Sequence, residues 1–145
     1  MNYTEFIQSS TECPFCHLKQ EEILATSSAF LSYAIAPYHE HQLLVSPRRH
    51  TEEYLDLTQQ EMEEIDSLLK KGVQILKHLG YKNYSILFRE GEGYYKSVPH
   101  LHFNIIPCDL VGPLNHKGEE RRVLECFETK NLLEALSKAK TSLGL

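Results

Sequence analysis

Along residues 62–79 the apolar side chains Ile65, Leu68, Leu69, Val73, Leu76 and Leu79 recur at steps of three and four, the spacing that gathers them on one stripe of an α-helix. Thr58-Gln59-Gln60-Glu61 just before has the form of a capping box, in which hydroxyl and carboxylate satisfy the exposed N–H groups of the first turn. Gly80 supplies the stop, and Gly72 is a mild weakness inside the helix. Upstream, residues 22–25 and 29–35 predict two strands joined by the Thr26-Ser27-Ser28 turn. Residues 41–46 predict a third, stopped by Pro47. After the helix, residues 84–89 predict another strand, and the Glu90-Gly91-Glu92-Gly93 loop leads into a further one around residues 100–106. A short strand at 123–127 and a last helix at 130–142, with Leu132, Leu133, Leu136 and Ala139 inward, complete the pattern. Strands in runs rather than alternating βαβ units predict an α+β domain: an antiparallel sheet of about five strands with one long and one C-terminal helix packed on it.

The last of these strands carries an anomaly. In Ser97-Val98-Pro99-His100-Leu101-His102-Phe103-Asn104-Ile105, alternation puts His100, His102 and Asn104 on one face and Leu101, Phe103 and Ile105 on the other. A strand that only filled a core has no reason to gather two imidazoles and an amide on one side, because each must find a partner or water. That face is a candidate site.

Composition narrows the class of protein. The chain's 145 residues, 41% hydrophobic, suit a single domain, 1–145, with a core that needs no staples. A formal net charge of −5 and only short basic groups, such as Arg48-Arg49 and Arg121-Arg122, argue against a nucleic-acid partner. No apolar run approaches the ~18 residues of a membrane span and the N-terminus lacks a signal-peptide layout, so the expected location is cytoplasmic, with no membrane partner. In a reducing compartment the closely spaced Cys13 and Cys16 of the Cys13-Pro14-Phe15-Cys16 knuckle favour a metal over a disulfide framework, although Cys-x-x-Cys alone also fits thiol redox chemistry. Two thiolates from one turn leave tetrahedral zinc needing two more ligands, and the chain has eight histidines.

His41-Gln42-Leu43-Leu44-Val45-Ser46-Pro47-Arg48-Arg49-His50, followed about fifty residues on by Ser97 through Pro107, resembles the histidine-triad (HIT) superfamily of nucleotide hydrolases and transferases. The likeness runs from Cys13 to Pro107, and its weight lies in order and spacing together. For the zinc-bearing branch it implies a structural zinc held by Cys13, Cys16, His50 and His100, a closed two-sulfur, two-nitrogen site with no open position. It makes His102 the nucleophile that attacks the α-phosphorus of a nucleotide substrate and carries the nucleotidyl group. Neutral imidazole is well suited to that at pH 7, provided an acceptor such as a backbone carbonyl holds its other N–H. Ser97 is implied as a donor to the phosphoryl oxygens and His41 as a residue that binds substrate; Asn104 offers an amide N–H₂ to the same oxygens by its own chemistry, and the cations Arg89 and Lys96 are candidates for binding the phosphate. A homodimer is also implied.

The chain departs from the family pattern in several places. Asn104 replaces the third histidine; uridylyltransferase-type relatives carry an amide there, which tilts the expectation toward transfer without excluding hydrolysis. Where many members bind ribose with an acidic or amide residue, this chain has Ser32, Tyr33 and Ala34. Lys96 stands where many carry Gln, and Arg89 where Asn or Gln is common. Two functions follow as expectations: an enzyme acting through covalent His102, on dinucleoside polyphosphates among other substrates, or a zinc-stabilised nucleotide-binding module with weakened catalysis.

Overall fold

Residues 1–18, 20–92, 98–107 and 121–145 are described by a computed structural model. Its elements in chain order are α1 (Tyr3–Gln8), β1 (Leu24–Ala25), β2 (Ala29–Tyr33), β3 (Leu43–Pro47), a 3-10 turn (Tyr54–Asp56), α2 (Gln59–His78), β4 (Ser85–Phe88), β5 (Phe103–Ile106) and α3 (Cys126–Ser142). The strands form one antiparallel sheet in the order β1-β2-β3-β5-β4, the α+β architecture expected.

Strand alternation divides the sheet into two faces. Leu31, Leu43, Val45, Phe103 and Ile105 point to the side covered by α2, which contributes Ile65, Leu68, Ile75 and Leu76; α3 adds Leu132, Leu136 and Ala139 to the same core. Phe30, Ala34 and Leu44 point the other way, against Phe15 of the cysteine knuckle and Val98. Helix α2 begins as expected: the Thr58 hydroxyl accepts from Glu61 N–H at 3.1 Å and the Glu61 carboxylate from Thr58 N–H at 2.9 Å. Gly72 is more than a tolerated weakness. A Cβ there would stand 2.5 Å from Ile105 Cδ1 and 2.9 Å from Leu31 Cδ1, so its missing side chain is what lets α2 lie close on the sheet.

Two expectations are corrected, and one element joins those expected. Residues 123–127 form no strand: Glu128 accepts from Glu125 N–H at 2.7 Å and is gripped by both terminal nitrogens of Arg122, which starts α3 at Cys126 instead. The N-terminal lead is a short helix, α1, closed by reciprocal bonds between Asn2 and Glu5. The histidines precede their strand, since β5 starts at Phe103 and residues 98–100 form a bend with His100 N–H on the Val98 carbonyl at 2.8 Å. No helix among the described residues is long and apolar enough to cross a membrane.

Candidate functional site

The bend before β5 turns His100 and His102 to different surroundings. His100 is almost wholly buried, 1% exposed. Its Nε2 lies 2.8 Å from the Pro47 carbonyl, so the proton sits on Nε2 and the Nδ1 lone pair is turned outward. That Nδ1 faces Cys13 Sγ at 3.4 Å and Cys16 Sγ at 3.5 Å, while His50 Nδ1 lies 3.2 Å from Cys16 Sγ. One ligand atom from each of Cys13, Cys16, His50 and His100 falls within 4.8 Å of every other. Zinc bonds of about 2.0–2.1 Å to nitrogen and 2.3 Å to sulfur put neighbouring corners of a tetrahedron about 3.3–3.8 Å apart; two of the three measured edges fall in that range and the third, from Cys16 to His50, lies just below it. Burial lowers the His100 pKa and favours the neutral ring that a metal ligand has to be. Partial burial, with Cys13 close by, pushes the Cys16 thiol up to about 11; a cation between the sulfurs reverses that balance.

Three segments meet in this cluster, and the chain pins two of them, the His50 loop and the His100 bend. Arg48 grips Glu22 at 2.8 and 3.0 Å. Arg49 grips Glu61 at 2.9 and 3.0 Å and donates to the Asp56 carbonyl at 2.7 Å. On the far side of His50, the Thr51 carbonyl accepts from Leu101 N–H at 2.7 Å, which brings the His50 loop against the His100 bend.

His102 faces a cleft on the side of the sheet away from α2. Its Nδ1–H donates to its neighbour's carbonyl, His100 O, at 2.8 Å, the acceptor that a nucleophilic imidazole requires, and Nε2 keeps its lone pair. Burial pushes the imidazole down to about 4, with His100, Arg121 and Arg89 adding to the drop against the opposing effect of the carbonyl. The ring is neutral at pH 7. Phe15 packs beside it with centroids 4.9 Å apart, and beside His100 at 5.7 Å. The cleft encloses ≈ 480 Å³ including its open mouth; α1 contributes Tyr3, Phe6 and Ile7 as one wall, and Asn104 lies beside His102 on the floor. Among the described residues lining it none is a carboxylate. Of the positions where relatives bind ribose, Ala34 lines the cleft, Ser32 is buried with its hydroxyl on the Glu21 carbonyl, and Tyr33 faces the α2 side.

Two lining residues were not among those singled out from the sequence. Gln42 is 1% exposed and donates from Nε2 to Asn104 Oδ1 at 3.0 Å. Arg121, noted only as half of a basic pair, lies 4.7 and 4.0 Å from the ring centres of Tyr3 and Tyr38 and donates to the Ala36 carbonyl at 2.9 Å. Alternation could have found Gln42, because Leu44 pairs with Asn104 and Gln42, two residues from Leu44, shares its face. His41, one position off, is elsewhere. It bonds Tyr81 and lines a second cleft with Leu124, Phe127 and Asn131, so the structure does not bring it to His102. Arg89 directly follows β4, near enough for its charge to act on His102. Ser97 and Lys96 lie outside the described residues.

The HIT-domain family model matches residues 18–110, and the chain belongs to that family. An uncharacterized HIT-like protein from Methanocaldococcus jannaschii and an adenosine 5'-monophosphoramidase from Schizosaccharomyces pombe are each 33% identical over 102 residues, 66% of this chain and 78% and 73% of theirs. A hypothetical histidine-triad nucleotide-binding protein from Sulfolobus tokodaii superposes with a TM-score of 0.74 at 20% identity, covering 90% of this chain and 93% of that one. A zinc-bound histidine-triad family protein from Mycobacterium smegmatis gives a TM-score of 0.67 at 19% identity, over 90% and 97% of the two chains.

Proposed function

We propose that the protein is a nucleotide hydrolase or nucleotidyltransferase that works through a covalent nucleotidyl-His102 intermediate. The observation that carries this is the bond from His102 Nδ1–H to the His100 carbonyl, which leaves a neutral ring with its Nε2 lone pair free. Nε2 attacks the α-phosphorus of a nucleoside phosphate derivative, an N–P bond forms, and the bond from phosphorus to the leaving group breaks. The leaving group departs with the electron pair and takes a proton from solvent. Water or another acceptor then attacks the same phosphorus and loses its proton to solvent, while the N–P bond breaks with its electron pair returning to Nε2, which restores the neutral His102. Asn104 donates to the phosphoryl oxygens, with Ser97 as the expected second donor and Arg89 and Lys96 as the expected cations. A nucleoside monophosphoramidate is the favoured first substrate, because the curated relative named for an activity is a phosphoramidase; dinucleoside polyphosphates are the next group to try.

Cys13, Cys16, His50 and His100 hold a structural zinc in this reading. Bound there, zinc supplies a fixed joint between the knuckle and the bend, and the chain itself does the chemistry. A thiolate-rich site suits the reducing cytoplasm. The amide at position 104, standing in place of a third imidazole, keeps transfer to an acceptor other than water open. It also motivates a second reading, a nucleotide-binding module with weakened catalysis.

One experiment separates the two. Wild type and His102→Ala are incubated with adenylated and uridylylated phosphoramidates and polyphosphates, and the acid-quenched protein is weighed by mass spectrometry. Turnover with a nucleotidyl adduct, both lost in the variant, is the expected result; binding without turnover across the panel favours the module. As for partners, β4 is an edge strand whose Ile86 and Phe88 are 44% and 37% exposed, with Tyr54 stacked on Phe88 at 5.1 Å. We place a homodimer contact there. Sedimentation at micromolar concentration is expected to show a dimer that Ile86→Arg converts to monomer.

A further inference from the structure

The amides of Gln42 and Asn104 can be oriented from a single unambiguous donor. A backbone N–H only donates, so the Tyr38 N–H at 2.7 Å fixes the near atom of the Gln42 amide as its oxygen. The other end of Gln42 is then the N–H₂ group, and the atom of Asn104 facing it at 3.0 Å must be Oδ1. The remaining end of Asn104 is therefore Nδ2, in agreement with its 3.5 Å approach to the Leu87 carbonyl, another pure acceptor. Gln42 is 1% exposed, so the relay has no competition from bulk water at its centre. Asn104 and His102 line the same cleft. The strand that follows Gln42 presents leucine, valine and proline around a buried serine, which makes an amide at this place costly unless it is used.

We propose that Gln42 is a positioning residue for the reaction: it holds Asn104 with the oxygen turned away and the N–H₂ group available to the phosphoryl oxygens beside His102. The inference rests on the proposed role of His102 and Asn104 and adds what makes an amide serviceable at that position. Without Gln42 the Asn104 amide can rotate and present a lone pair to an anion, losing one preorganised donor. Gln42→Glu is the sharper change, because its second oxygen can only accept and draws Nδ2 of Asn104 away from the cleft.

The test is a double-mutant cycle on an adenosine 5'-phosphoramidate with a fluorogenic amine, backed by a binding measurement that needs no turnover. Gln42→Leu is expected to lower kcat by about tenfold with a smaller change in KM, the scale of one weakened transition-state donor, and Gln42→Glu to lower it further. In an Asn104→His background, whose ring does not depend on the amide relay, Gln42→Leu is expected to cost less than about twofold. An equal cost in both backgrounds, or none in either, overturns the proposal. The binding arm follows the Asn104 side-chain N–H₂ resonances as AMP is added: they shift in the wild type and stay in place in Gln42→Glu. Equal shifts in the two proteins also overturn it. A wild type that shows the shift yet turns over no substrate counts against the enzyme reading alone. Unchanged thermal melting of Gln42→Met, which keeps the volume and loses the amide, separates positioning from folding.

Discussion

Gly72 shows how one residue can reverse its meaning between sequence and structure. In an isolated helix, Gly72→Ala gains about 1 kcal/mol from backbone entropy. Here the added methyl would press on Ile105 and Leu31, both fully buried, and overpacking of a filled core costs about 1–3 kcal/mol. The second effect wins, so Gly72→Ala is expected to destabilise the fold by roughly 1 kcal/mol and Gly72→Val by more. Urea unfolding at fixed m-value reads this directly, and a stabilised alanine variant would mean that α2 has room to rise. Ile105 adjoins Asn104, so any shift of β5 is also felt on the cleft side. At this scale the sequence exposed the chemistry better than its address. The structure brings Cys13, Cys16, His50 and His100 together as the resemblance implied, whereas His41 faces away from the cleft of His102 that its neighbour Gln42 lines, because neighbours along an extended chain face opposite ways.

Elements position the site through their ends. The N-terminal turn of α2 is held by Glu61, which closes the capping box and accepts hydrogen bonds from Nε and Nη2 of Arg49, next to the cluster residue His50. The Arg49 hydrogen bonds hold the Glu61 carboxyl below its ordinary value of 4.5. A carboxylate depressed in the folded state contributes stability that is full above its unfolded pKa and drains away as pH falls through its folded one. Glu61→Gln is therefore expected to lose part of the wild type's stability at pH 7 and to show a shallower fall below about pH 4.5, where the wild type loses the same contribution. Acid unfolding followed by circular dichroism checks the slope, and parallel curves for the two proteins would exclude the pair as a source of stability. The α2 start was legible because Thr58 and Glu61 stand three apart ahead of an apolar stripe. The same Asn-x-x-Glu spacing at Asn2 and Glu5 announces α1, but without an apolar stripe behind it the signal carries little weight alone. The late start of β5 was not legible, since periodicity through residues 100–106 is satisfied by the bend as well as by a strand; what bends it is the pull of His100 toward Pro47 and the cysteine knuckle, contacts remote in sequence.

The two sides of the molecule are unequally supported. Among the described residues, the core between the sheet and helices α2 and α3 gathers 16 buried side chains, while the cleft side has 5, with Phe15 the one contributed by the knuckle. Hydrophobic stabilisation scales with buried apolar area, so the helix side holds itself together and the cleft side needs another support. A zinc at Cys13, Cys16, His50 and His100 is well placed to provide it, because it joins segments that are otherwise distant along the chain, and its binding free energy becomes folding free energy only for the parts it ties. The purified protein is accordingly expected to carry close to one zinc per chain by elemental analysis. Removing it with a chelator, or changing Cys13 to Ser, should release the knuckle and α1 first: amide protons in residues 2–18 lose protection while those of α2 keep theirs. Unfolding then ceases to be a single transition, and probes on the two sides no longer coincide. Uniform loss of protection across both faces would instead make the metal a support of the whole fold, and unchanged protection with no zinc bound would deny the cluster any structural role. Turnover is expected to fail with the knuckle, before the helix side melts, because Phe15 packs against His102 and the cleft wall built from α1 goes with it.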